Sequence, residues 1–214
     1  VRLKLEIIKT FIELSNLIGK NRIIWRYDPI LLNERYTIKF HLQMFKKMCQ
    51  LLYKYTNTVI ISFLDIYKNI INKFNELNDD DVYLLADHLG KIAKKYHLEI
   101  KTCSEKYHLE QYGIKKGSCL EKSYIEELIG YPLNIKTNQN RANCSCLASI
   151  DIGAYSCCNH GCLYCYACNH QLVAKNMKSH DENSEMLLGY LTSHDKVIKR
   201  NVSSNKENQL KFDF

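Results

Sequence analysis

The run Cys158-Asn-His-Gly-Cys162-Leu-Tyr-Cys165 spaces three thiols as C-x3-C-x2-C, with Cys157 just before it and Cys168 just after. Three thiolates in so short a stretch converge on one inorganic centre only if the chain curls around it. Gly161 permits that curl, because glycine accepts left-handed dihedrals and lets backbone N–H groups approach sulfur. Soft thiolates at this density select an iron–sulfur cluster or zinc. Zinc sites usually pair two short cysteine knuckles across a spacer. The x3-x2 spacing fits that pattern poorly, and Cys144-Ser-Cys146, the available second half, is too tight for a knuckle. The expectation is a [4Fe-4S] cluster on Cys158, Cys162 and Cys165, with zinc as the alternative metal. Three ligands leave one iron of the four without a protein donor; Cys168, if it takes that position, closes the site.

The other thiols divide by setting. Cys103, Cys119, Cys144 and Cys146 fall on expected loops or element ends and form either a second metal site or separate core or reactive thiols. Cys49 lies on the apolar face of a helix and reads as core packing. Cys157 reads as a non-ligand, since adjacent side chains point apart. His160 and His170 flank the cluster run and are expected to bond sulfur or backbone rather than metal. Tyr155, Tyr164 and Tyr166 are expected to pack around the cluster and keep water out.

Elements able to position these groups follow from periodicity. Apolar residues at Ile8, Phe11, Ile12 and Ile18, stopped by Gly19, predict a helix over 5–18. Arg22 to Tyr27 reads as a strand leaving into Asp28-Pro29. Ile38, Leu42, Phe45, Cys49 and Leu52 predict a second helix, followed by a strand at Thr58 to Phe63. Asp79-Asp80-Asp81 open a third helix that runs through Leu85, Leu89, Ile92 and Tyr96 to a strand at Leu98 to Thr102. A fourth strand is expected at Ser149 to Ile152. Helices alternating with short strands about every 35–40 residues predict an α/β fold with a parallel sheet. The expected architecture is a partial, TIM-barrel-like sheet with helices outside and a C-terminal cysteine-rich loop. The expected regions are 1–135 for the α/β part, 136–175 for the cysteine-rich part and 176–214 for a polar extension.

In such a fold the carboxyl ends of all strands share one rim, where chemistry is placed. Arg26, Asp28, Ser62, Asp65 and Glu105 are therefore the expected cofactor- or substrate-binding residues, with Asp151 or Arg141 orienting the cluster loop. No glycine-rich phosphate loop and no Ser/His/Asp or Cys/His set is recognisable, so P-loop and hydrolase readings are not carried further.

With 214 residues, 46% hydrophobic and 25% charged, the chain can bury one ordinary core, which excludes a disordered or fibrous class. No uncharged apolar run approaches the roughly 20 residues of a membrane helix, and the N-terminus lacks the order of a signal peptide, so a cytoplasmic protein without membrane contact is expected. The net charge of +7 comes mainly from lysine and reads as a solvated surface more than as a nucleic-acid footprint.

Two resemblances bear on function. The C-x3-C-x2-C spacing with Tyr164 before the last cysteine resembles the cluster motif of radical S-adenosylmethionine enzymes. The segments Arg22 to Leu32, Ile61 to Asp65, Thr102 to Glu105, Asn140-Arg141, Cys144-Ser-Cys146, Ser149 to Tyr155 and His160 to Ala167 resemble a bacterial family, the domain of unknown function numbered eighteen forty-eight. The resemblance extends through His180-Asp181 to Arg200. It implies a cluster-binding protein of unknown substrate whose C-terminal cysteines are likened to the radical S-adenosylmethionine site. It also implies an N-terminally truncated member, since the family opens with further strands. In an enzyme of that kind S-adenosylmethionine chelates the open iron, a flavodoxin or ferredoxin supplies the electron, and the substrate is a small molecule or macromolecule. Two other readings stay open: a closed [4Fe-4S] or zinc module with a structural or redox-sensing role, and a DNA-repair lyase-like radical enzyme acting on nucleic acid.

Overall fold

The computed structural model describes residues 3–68, 70, 72–137 and 144–207. Helix α1 (Lys4–Ile18) ends at Gly19, whose φ of +92° is open to glycine. Strand β1 (Trp25–Ile30) follows, then α2 (Ile38–Leu52) and β2 (Thr58–Phe63). The third unit is α3 (Asp79–Lys95) with β3 (Glu99–Cys103), followed by β4 (Ile114–Gly117), α4 (Lys122–Ile129) and α5 (His170–Lys178). Local chemistry explains the helix starts. The Thr37 hydroxyl accepts the Phe40 N–H at 3.2 Å, the Asn78 amide oxygen accepts the Asp81 N–H at 2.8 Å, and three aspartates occupy the first turn of α3.

The described residues fall into two compact units. One lies within Arg2–Asp65, Glu76–Ala148 and Asn205–Phe214, the other within Ile66–Asn75 and Ser149–Ser204. The first contains a parallel four-stranded sheet in the order β1-β2-β3-β4. Pairing of Trp25 with Val59, Val59 with Ile100 and Ile100 with Ile114 puts those side chains on one face. There they join Phe45 and Cys49 of α2 and Leu85, Leu89 and Ala93 of α3 in a single core. The alternate residues Arg26, Ile60 and Lys101 share the other face, and Cys103 there lies level with Gly117.

The mixed α/β class with a parallel sheet is therefore as expected. The fourth strand is not where it was expected. Ser149 to Ile152 is irregular, with Ile150 56% and Ile152 80% exposed, and Asp151 Oδ1 accepts the Gly153 N–H at 2.7 Å. That local bond offers the backbone an alternative to a ladder. The fourth position is filled by β4 instead, whose sequence Ile-Lys-Lys-Gly carries too little apolar alternation to announce a strand. No helix among the described residues is long and apolar enough to cross a membrane.

Candidate functional site

Two groups of side chains have chemical potential, one in each unit. In the sheet-bearing unit, Arg26 and Asp28 stand two residues apart on β1 and so share a face. Asp28 Oδ2 accepts from Arg26 Nε at 3.0 Å and from Nη2 at 2.5 Å, while Arg26 Nη1 donates to Cys119 Sγ at 2.8 Å. Arg26 thus links an edge strand to a thiol that follows the opposite edge strand. In a flat sheet those strands lie about 14 Å apart, so Arg26 and the segment after β4 must both reach inward over the face. Burial works against the Arg26 charge, but Asp28 and Cys119 outweigh it and hold its pKa above the ordinary value.

Cys103, at the end of β3, is buried and lies 2.8 Å from Cys119, sulfur to sulfur. The contact with Cys119, then burial, pushes the Cys103 thiol up, which favours its protonated form. Ser104 follows with a φ of +58°, a left-handed turn rare for serine. Glu105 is buried and accepts the Phe63 N–H at 2.8 Å, which ties the end of β2 to the segment after β3. Cys144 and Cys146 form a neighbouring pair. Burial raises the Cys146 thiol; the backbone N–H groups of Leu120 and Cys119 oppose that, and the adjacent Cys144 adds to it. The structure thus gathers Cys103, Cys119, Cys144 and Cys146 from distant parts of the chain, as two pairs joined through the backbone at Cys119. Ser62 is half-buried on β2, and Asp65 is exposed beyond that strand.

In the other unit, the cysteine run forms a loop pinned at its base. The Ser156 N–H donates to the Ala167 carbonyl at 2.9 Å, and Ser156 Oγ accepts the Asn169 N–H at 3.0 Å. Asn176 of α5 donates to the carbonyls of Tyr155 and Ser156, both at 3.3 Å, and so holds the same base from the helix side. Within the loop Gly161 takes a φ of +65°, and the Cys165 N–H bonds the Cys162 carbonyl at 3.1 Å in a tight turn. Cys168 Sγ lies 3.8 Å from the Cys158 carbonyl oxygen and 3.7 Å from His170 Nδ1. Slight desolvation, then the thiols of Cys165, Cys158, Cys162 and Cys157, raise the Cys168 pKa. Among the described residues no three Cys, His, Asp or Glu side chains yet converge as a ligand set. The thiols are donors of a chemistry that suits a soft metal centre, but among the described residues they are not assembled as one.

A family model described as Domain of unknown function (DUF1848) matches residues 1–167. The chain belongs to this family. No curated protein and no solved structure matches it. The stretch matched to DUF1848 takes in all four strands, both thiol pairs, and Cys158, Cys162 and Cys165, and it stops one residue short of Cys168.

Some details of this DUF1848 chain differ from what its sequence suggested, whereas Cys49 is core packing as expected. Tyr155 and Tyr166 are 63% and 62% exposed and build no water-excluding shell; Tyr166 stacks on Tyr67 with ring centroids 5.1 Å apart. Asp151 is spent on its own turn, and Arg141 lies outside the described residues. Cys157 turns its sulfur back to the Tyr155 carbonyl at 3.3 Å. Cys49 is fully buried, and burial pushes its thiol up to about 12, as suits an inert core residue. The joining of Arg26 to the Cys103–Cys119 pair had no sequence signal, since Arg26 was expected at the carboxyl end of its strand and is the second residue of β1. The contact spans 93 residues of chain.

Proposed function

We propose that this DUF1848 chain binds a [4Fe-4S] cluster through Cys158, Cys162 and Cys165, in the manner of radical S-adenosylmethionine enzymes. The observation that carries the reading is the closed loop from Ser156 to Ala167, which holds the three thiols inside one hydrogen-bonded base. Gly161 supplies the left-handed step, and the bond from the Cys165 N–H to the Cys162 carbonyl keeps the last two donors one tight turn apart. The Asn176 amide keeps the base in place, so closing on a metal group costs ordering of the loop alone. When bound, such a group with one iron free of protein donors supplies a one-electron reductant and a chelation point for the amino and carboxylate groups of S-adenosylmethionine.

A second reading is favoured by one specific observation. Cys168 Sγ lies 3.8 Å from the Cys158 carbonyl oxygen, which places a fourth thiol beside the first of the three, where a fourth ligand of a closed structural or redox-sensing site would stand. The two readings separate by electron paramagnetic resonance on the anaerobically purified, dithionite-reduced protein, with and without S-adenosylmethionine. The open site predicts a reduced-cluster signal that shifts on addition and survives Cys168→Ala. A signal that does not shift and is lost in Cys168→Ala establishes the closed site. Iron and sulfide content unchanged by Cys162→Ala, or zinc in place of iron, overturns the proposal.

A further inference from the structure

The thiols of the sheet-bearing unit make chemistry possible that does not involve the cluster loop. We propose that Cys103 and Cys119 form a redox-active dithiol, oxidised to an intramolecular disulfide by small-molecule disulfides of the glutathione class, with Arg26 activating Cys119. Three observations carry this. The sulfurs already stand 2.8 Å apart, whereas a disulfide bond is about 2.05 Å long, so the bond can form with a small movement. The two residues leave neighbouring parallel strands at the same level, since Cys103 pairs with Gly117, two residues before Cys119. The guanidinium of Arg26 donates to Cys119 and is itself oriented by Asp28, which places a fixed cation beside one of the two sulfurs.

Exposure divides the roles. Cys119 is half-buried and Cys103 is 4% exposed, so Cys119 meets the oxidant. Its thiolate attacks one sulfur of the small disulfide; that S–S bond breaks, one small thiolate leaves, and Cys119 is left in a mixed disulfide. Cys103 then loses its proton, attacks the Cys119 sulfur and expels the second small thiolate. The dithiol gives up two electrons, the small disulfide gains them, and the two thiol protons end on the two released thiols. Among the described residues no three thiols converge to compete as a metal site.

The test uses the full chain, fully reduced under anaerobic conditions and then equilibrated with oxidised and reduced glutathione at graded ratios. Thiols are trapped by acid and alkylated, and linked peptides are mapped by mass spectrometry. The expected product is a peptide linking Cys103 to Cys119, formed without loss of the folded circular-dichroism signal. Cys103→Ser is expected to halt at one glutathione on Cys119. Arg26→Gln is expected to slow the first step by about threefold to tenfold while the linked product still forms. Differential alkylation of the unmutated protein supplies the same ranking of reactivity should a variant fold poorly, with Cys119 expected to react before Cys103. Three results each overturn the proposal: a link from Cys119 to Cys144 or Cys146, no reaction at Cys119 ahead of Cys103, or bound zinc or iron that Cys103→Ser removes.

Discussion

Replacing Gly90 by alanine tests whether α3 is seated as closely as the structure places it. In an exposed helix interior the change would stabilise, because glycine costs about 1 kcal/mol relative to alanine. At Gly90 the sign should reverse. A Cβ built there would lie 2.0 Å from the Tyr112 carbonyl oxygen and 3.2 Å from its carbon, both backbone atoms that cannot rotate away. An ordinary C···O contact is about 3.3 Å, so the helix or the 110–113 turn must yield by about 1.3 Å. Overpacking of this kind costs about 1–3 kcal/mol, occasionally more, and a forced backbone shift belongs at the upper end. After the gain in helix propensity the net loss is about 2 kcal/mol, which for a chain of this size lowers Tm by roughly 4–8 °C. Trp25, the single tryptophan, is buried in the same core and stacks on Phe45 with ring centroids 5.1 Å apart, so its fluorescence reports unfolding of the unit concerned. His88→Ala, at an exposed position on α3, serves as the control and should change Tm little. A Gly90→Ala protein more stable than the parent would refute the close approach of α3 to the turn that leads into β4, and with it the seating of the strand that delivers Cys119.

Other outcomes follow from single contacts. Thr56 is fully buried and its hydroxyl donates to the Ile23 carbonyl at 2.8 Å, so Thr56→Val should cost about 1–3 kcal/mol in urea unfolding by leaving that carbonyl unpaired; an unchanged midpoint would mean the bond contributes nothing. The Leu31 carbonyl can only accept, so His41 Nε2 carries a proton at 2.8 Å, and Nδ1 lies 2.9 Å from the Tyr27 hydroxyl, which donates to it when the ring is neutral and accepts from it when the ring is charged. Burial lowers the His41 pKa, with the Leu31 carbonyl opposing, so the unfolded chain, titrating near 6.5, takes up the proton first as pH falls. Stability present above about pH 6.5 should therefore decline below it until the native pKa is passed, and His41→Gln should flatten that decline between about pH 7 and 5. Equal slopes in the two proteins would show that His41 is not the group responsible.

What the sequence determined was whatever depends on neighbours along the chain. The apolar spacing of Phe45, Cys49 and Leu52, and of Leu85, Leu89 and Ala93, specifies a helix face, and Val59, Ile61 and Phe63 specify a strand face, whatever packs against them. The C-x3-C-x2-C run is legible for the same reason, since covalent spacing limits which donors can meet, and Cys103 stands at the carboxyl end of β3 as expected; Arg26 and Asp28 lie within β1 rather than at its carboxyl end, because that strand runs Trp25–Ile30 and takes in the Asp28-Pro29 step that read as its exit. Tertiary structure decided the rest. Ile114 to Gly117 is a strand because β3 offers it a ladder, while the more strand-like Ser149 to Ile152 has no such partner among the described residues and satisfies itself through Asp151. The meeting of Arg26, Cys103 and Cys119 depends on register across the sheet and on the inward path after β4. Those are long-range choices made by core packing, which residues 93 positions apart cannot express in their own local pattern.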